Sequence, residues 1–111
     1  MRSLRFLLFL TLLGCASGPV PPEGALERER FKNVLLEAQL IEARTNHELI
    51  VEHQGQVPTE GYYDELFKEQ GTTREQFTLT FDWYADHPAL LKEVYEEIIT
   101  ELGRRKDAGA Q

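Results

Sequence analysis

The sequence predicts an all-α fold, a small bundle of three to four helices, and three observations lead there. Apolar residues recur at spacings of three and four along most of the chain beyond residue 25, the period of a helix with one buried face. Helix punctuation separates these stretches: Gly71 after Gln70, Thr73 with Gln76 three residues on, and Pro88 after His87. The connections marked in this way are short, as they are between antiparallel neighbours in a bundle.

Taken in order, the chain opens on Met1-Arg2-Ser3-Leu4-Arg5, a short positive stretch, and runs into an almost unbroken apolar segment from Phe6 to Leu13. Crossing a hydrocarbon core takes about 20 residues, so this segment has the length and flanks of a signal peptide instead. It closes on Leu12-Leu13-Gly14-Cys15, which contains the only cysteine of the 111 residues. These four residues resemble the lipobox of bacterial lipoproteins. The resemblance implies a lipoprotein signal peptide over residues 1–14, cleavage between Gly14 and Cys15, and acyl chains of the palmitate kind on the Cys15 thiol and the new amine. One chain binds a membrane marginally, whereas two or more anchor it stably. The expected anchor is therefore lipid, with the bilayer itself as one partner.

Residues 15–24 read as a flexible tether after the lipidated cysteine. Pro19, Pro21 and Pro22 favour extended polyproline conformation, and the small residues around them build no core. At about 3.1 Å per residue the tether reaches on the order of 25 Å. Ala16 is not an acidic retention signal, and no run of acids follows Cys15. Both features favour an outer-membrane anchor facing the periplasm.

The helical domain is expected over residues 25–103. A first helix from Ala25 to about His53 carries Phe31, Val34, Leu35, Ala38, Ile41 and Thr45 on one stripe, widened by Leu36 and Leu40. Thr59 is a good N-cap for a second helix whose inner face holds Tyr62, Tyr63, Leu66 and Phe67. Thr73 and Gln76 form the capping box of a third, and Pro88 starts a fourth with Leu90, Leu91, Val94, Tyr95, Ile98, Ile99 and Leu102 along its seam. Residues 104–111 are expected to be a disordered tail.

Composition excludes several functions. The formal charge is −7 at pH 7, and Arg2 and Arg5 lie in the signal segment, so the mature surface is more acidic still. Such a surface argues against nucleic acid as a partner. With Cys15 acylated, no thiol remains for a disulfide, a thiolate metal site or a nucleophile.

Four features together resemble a known family: the lipobox; the Phe31…Val34-Leu35-Leu36-Glu37-Ala38-Gln39-Leu40-Ile41-Glu42-Ala43 helix; the Tyr63…Leu66-Phe67…Gly71-Thr72-Thr73-Arg74-Glu75-Gln76-Phe77 turn; and the Trp83-Tyr84…His87-Pro88…Tyr95 junction. They are similar to short bacteroidete lipoproteins whose helical domain has no assigned function. Members of that family often carry Asp and His where this chain has Glu37 and Gln39. The resemblance spans roughly Pro22 to Leu102 and implies an all-helical lipoprotein facing the periplasm.

Candidate chemistry is sparse. Asp82 and Asp86 lie one turn apart beside His87, a set able to ligate a divalent cation. His87 also precedes Pro88 at a helix start, where Asp86 is favoured as negative charge, so a structural role is expected for the set and no metal is assigned. His47 and His53 lack the i, i+4 spacing of paired ligands. Ser3 and Ser17 are the only serines, and Thr72 and Thr73 are accounted for by a turn and a cap. No catalytic residue or cofactor is expected. The aromatic residues carry more information. Phe81 and Trp83 point about 160° apart on one helix, so that helix is either packed on two sides or offers a docking face at Tyr63, Leu79 and Trp83.

The expected function is accordingly that of a non-catalytic interaction or scaffold lipoprotein with an envelope protein partner. A periplasmic chaperone-like module is the alternative, because the Gly71–Phe77 turn is similar to those in helical domains of peptidyl-prolyl isomerase chaperones. A small acid/base or metal-dependent enzyme is a remote third.

Overall fold

The structure, a computed structural model, describes residues 18–50, 52 and 58–109. The signal segment, Cys15 and His53 lie outside the described residues. Four helices follow one another: α1 (Arg28–Ile50), α2 (Thr59–Glu69), α3 (Arg74–Ala85) and α4 (Pro88–Gly109). There is no strand among the described residues, and no helix there is long and apolar enough to cross a membrane. The all-α bundle expected from helical periodicity is the fold observed.

The longest helix, α1, is the one against which the other three pack, and α3 and α4 also pack on each other. Of the residues the spacing predicts, Phe31, Val34, Leu35, Ala38 and Thr45 are buried with Leu36 beside them and Ile41 is partly buried, while Glu48 is buried without having been expected. Phe31 is fully buried and lies against three rings of α3: stacked on Tyr84 at 4.4 Å, and near Phe77 at 5.9 Å and Phe81 at 6.4 Å. From Phe77 the ring contacts continue into α2 through Phe67 (5.7 Å) and on to Tyr63 (6.0 Å). Val94 and Ile98 close the core from α4. Fully burying side chains of this size is worth about 1.5–3 kcal/mol each, and no disulfide is available to this single-cysteine chain.

Helix α1 begins three residues later than expected, because the segment before it is fastened elsewhere. The Ala25 amide bonds the Pro22 carbonyl (3.2 Å) in a turn that places Gly24 at φ +87°, and the Leu26 amide donates to Thr80 Oγ1 of α3 (2.8 Å). Leu26 itself is core. The tether of residues 15–24 is therefore docked over its last part rather than free.

At the start of α2 the expected N-cap is corrected. Thr59 is the first helical residue, Pro58 holds the cap position without a side-chain bond, and Thr59 Oγ1 lies 3.4 Å from Thr45 Oγ1 of α1. The far end of α2 follows the sequence closely. Gly71 sits at φ +66°, the Gly71 amide bonds the Lys68 carbonyl, and the Thr72 amide bonds the Phe67 carbonyl, which is the Schellman arrangement. Arg30 of α1 adds hydrogen bonds to the Gln70 and Gly71 carbonyls.

Thr73 caps α3 as expected, accepting from the Gln76 amide at 3.1 Å. The Gln76 side chain has other partners: its Oε1 accepts from Thr72 Oγ1 (2.7 Å), and its Nε2 donates to the Gly24 carbonyl (3.0 Å). Two residues, Asp86 and His87, then turn the chain into α4, where Pro88 is the first helical residue and the His87 carbonyl accepts from Leu90 and Leu91.

Beyond residue 103 the expected disordered tail is corrected as well, since α4 continues to Gly109. Arg104 donates to Glu101 at 2.9 and 2.6 Å, and Arg105 reaches both Glu101 and Glu37 at 3.3 Å. Cations in the last turns also suit the negative end of the helix dipole. Two positions expected on buried faces prove exposed, Leu40 at 38% and Ile99 at 67%, while Leu79, named for a docking face, is 41% exposed.

Two measurements follow from these contacts. Thr80 is fully buried, donating to the Gln76 carbonyl while accepting from Leu26. Thr80→Val leaves the Leu26 amide without its partner and is expected to lose about 1–3 kcal/mol in urea unfolding, with Thr80→Ser close to wild type. Secondly, hydrogen bonds from Arg104 and Arg105 hold the Glu101 carboxyl down from 4.5 to about 2. A carboxylate held below its unfolded value stabilises the fold above that value and loses the effect as pH falls through the folded one. The protection factors of amides 104–109, exchange relative to the intrinsic rate at each pH, are therefore expected to fall between pH 4.5 and 2, a dependence that Glu101→Gln removes.

Candidate functional site

Helices α1 and α2 run antiparallel, so stripes on each form the two sides of a groove. From α1 come Glu37, Leu40, Ile41 and Arg44; from α2 come Tyr62, Glu65, Leu66 and Glu69. Each set follows the spacing i, i+3, i+4, i+7 and therefore lies on one helical face. Between them is a cleft of about 280 Å³, open to solvent, with Leu40, Ile41 and Leu66 as its apolar part. Leu66 is buried at 5%, Ile41 is partly buried, and Leu40 stands exposed.

One end of the groove is fixed by a buried polar cluster. Glu48, only 9% exposed, accepts hydrogen bonds from Tyr62 Oη (3.0 and 3.2 Å) and from Arg44 Nε (3.0 Å), while the Arg44 guanidinium lies 4.4 Å over the Tyr62 ring. Burial, and then the hydrogen bond to Glu48, push the Tyr62 hydroxyl up, so it stays protonated and donates. Tyr63 donates in the same manner to Glu42, and burial with that carboxylate pushes it up to about 12. These groups hold one another, and the result is a rigid seam between α1 and α2.

Carboxylates dominate the rim. Glu65 and Glu69 stand one turn apart on α2, both exposed, and make no ion pair among the described residues. Glu37 meets Arg105 of α4 at 3.3 Å, and the rim's one cation, Arg44, is paired with Glu48. A second cleft, between α1 and α4, is lined by Arg28 and Lys32 together with Glu93, Glu96, Glu97 and Glu101, and there Glu97 pairs with Arg28 and, at 3.7 Å, with Lys32.

The residues expected to form a docking face are distributed as follows. Leu79 and Trp83 share one side of α3, separated by a single turn. Leu79 lies beside Gly24 of the docked segment. Trp83 is half-buried, its ring edge-on to Tyr84 at 4.9 Å and stacked on His87 at 4.1 Å. Tyr63 is elsewhere: it meets α3 through Phe67 and Phe77, and Phe77 points about 160° away from Leu79 around the helix. Arg74, 6.0 Å over the Tyr63 ring and paired with Glu60 at 2.9 Å, covers that region.

His87 directs Nδ1 to the Trp83 carbonyl at 2.7 Å, and Asp86 is the C-cap of α3. Among the described residues no three His, Asp or Glu side chains gather as a metal site requires. The groove was missed by a reading that assigned Leu40 to the core. Its signal was the pairing of acids with apolar residues at matched spacing, Glu37-Leu40-Ile41 on one helix and Glu65-Leu66-Glu69 on the next.

Compared with known families, residues 22–108 match the one described as a domain of unknown function, DUF4296. No curated protein and no solved structure matches the chain.

The surroundings of Trp83 lead to a direct test. Trp83→Ala is expected to cost about 2 kcal/mol, less than the full loss for a wholly buried tryptophan, and to lower Tm in a thermal melt by roughly 10 °C. An unchanged Tm would instead mark Trp83 as surface available to a partner.

Proposed function

The chain belongs to this family of domains of unknown function, and on that premise we propose that it is a membrane-anchored, non-catalytic interaction module of the bacterial envelope. In this reading lipid on Cys15 holds it at the outer membrane, the domain faces the periplasm, and the α1–α2 groove receives an envelope protein. The observation that carries the reading is the groove itself, an open cleft in which Leu40 is exposed and Ile41 only partly buried, beside an otherwise well-packed core. Exposed apolar surface of this kind, bordered by polar groups, marks protein contact sites. The polar groups nearby, Tyr62, Glu48 and Arg44, are occupied in hydrogen bonds to one another, which suits a scaffold better than a reacting centre. Support for the anchor comes from the residues Leu12-Leu13-Gly14-Cys15 and the positive, apolar segment before them.

The two halves are tested separately in cells. Cys15→Ser is expected to leave the precursor unprocessed or to release the domain from the membrane fraction; processed protein still retained there would sink the lipid anchor. Leu40→Arg, at an exposed position that the fold tolerates, is expected to abolish crosslinking to one stoichiometric envelope partner without lowering Tm. A smear of weak crosslinked clients, unaffected by Leu40→Arg, would favour the chaperone-like alternative.

A further inference from the structure

We infer that the occupant of the α1–α2 groove is a basic amphipathic helix of a partner protein, an inference that rests on the docking reading above and names the chemistry of what docks. Two facts about the groove lead there: its dimensions and its charge.

The lining residues of α1 run from Glu37 to Arg44, and those of α2 from Tyr62 to Glu69. At 1.5 Å per residue each stripe is about 10 Å long, the length of two helical turns. Helix-in-groove recognition uses apolar anchors at i, i+3 or i+4, and i+7, which span about the same distance. Leu40 and the partly buried Ile41 offer apolar surface to such anchors, and the Tyr62–Glu48 hydrogen bond ties α2 to α1 at one end of the cleft.

Charge selects the sign of the helix. Glu65 and Glu69 form an i, i+4 like-charge pair on α2, an unfavourable arrangement, and neither has an ion-pair partner within 4 Å among the described residues, Arg44 acting on Glu65 only at longer range. On the opposite side, Glu37 shares Arg105 with Glu101, and Arg44 is turned onto Glu48 and Tyr62. The groove thus presents two carboxylates without direct ion pairs among the described residues on the α2 side of its apolar strip. A helix with lysines or arginines flanking its apolar stripe would lay cations against Glu65 and Glu69 while its anchors cover Leu40.

The test uses the mature chain in detergent and two synthetic helical peptides of about 15 residues. Both carry leucines at i, i+3, i+4 and i+7; one has lysines flanking them and the other glutamates. Fluorescence anisotropy is expected to show binding of the lysine peptide only, weakening as salt rises. Glu65→Lys with Glu69→Lys is expected to weaken it about tenfold or more, two charge contacts being reversed, and Leu40→Arg to abolish it. All three positions are exposed, and an unchanged Tm confirms that each variant folds. Equal binding of the two peptides, or no loss in the double variant, would overturn the inference. So would a chain that dimerises through the groove in sedimentation and excludes both peptides. If Leu40→Arg abolishes the cellular crosslink while the lysine peptide does not bind, the basic helix is wrong and the docking reading survives. If neither responds, both fail.

Discussion

The bundle depends on one ring. Phe31 leaves α1 fully buried, and around it α3 arranges Tyr84 in a parallel stack with Phe77 and Phe81 at wider angles. Because Phe77 also touches Phe67, the same ring sets where α2 lies against α3. In a domain this small, with a single cysteine in the chain, few alternatives exist for fixing three helices at once. The order of events in the chain follows from it. Short turns at Gln70–Thr73 and Asp86–His87 bring the aromatic helix back onto α1, and α4 covers what α3 leaves open.

Local chemistry was legible in the sequence wherever the deciding partner lies within a few residues. Gly71 adopts the left-handed conformation that the end of α2 demands, Thr73 caps α3, and Pro88 starts α4. The stripe from Phe31 to Thr45 is buried as its spacing indicated. Departures occur where a distant residue competes. Thr59 looks like a cap, yet its hydroxyl faces Thr45 across the helix pair. Gln76 looks like the second half of a capping box, yet its amide holds Gly24, 52 positions earlier. Residues 104–109 look like a frayed end, yet Glu101 and Glu37 bind the arginines that continue the helix.

The site was harder to see for a related reason. Periodicity reports which residues share a face but not whether a neighbour covers that face. Leu40 extends the stripe of α1 by one position, and whether it is core depends on where α2 and α4 stop. The aromatic residues drew attention as docking candidates, but rings from Tyr63 to Trp83 are largely engaged with one another. The surface left over is aliphatic and acidic. It arises because α1, at 23 residues, is much longer than the 11-residue α2 beside it and has to be covered by partners on several sides.

The docked segment ahead of α1 has a mechanical consequence. Gly24 is held by Gln76 and Leu26 by Thr80, so tension arriving along the backbone from upstream meets α3 before it meets α1. A pull that would otherwise reach the first turn of α1 directly instead meets these two bonds first, beside a buried leucine side chain. A domain tugged from its N-terminal side would therefore transmit force into the middle of the bundle and keep the α1–α2 groove intact until Gln76 and Thr80 let go.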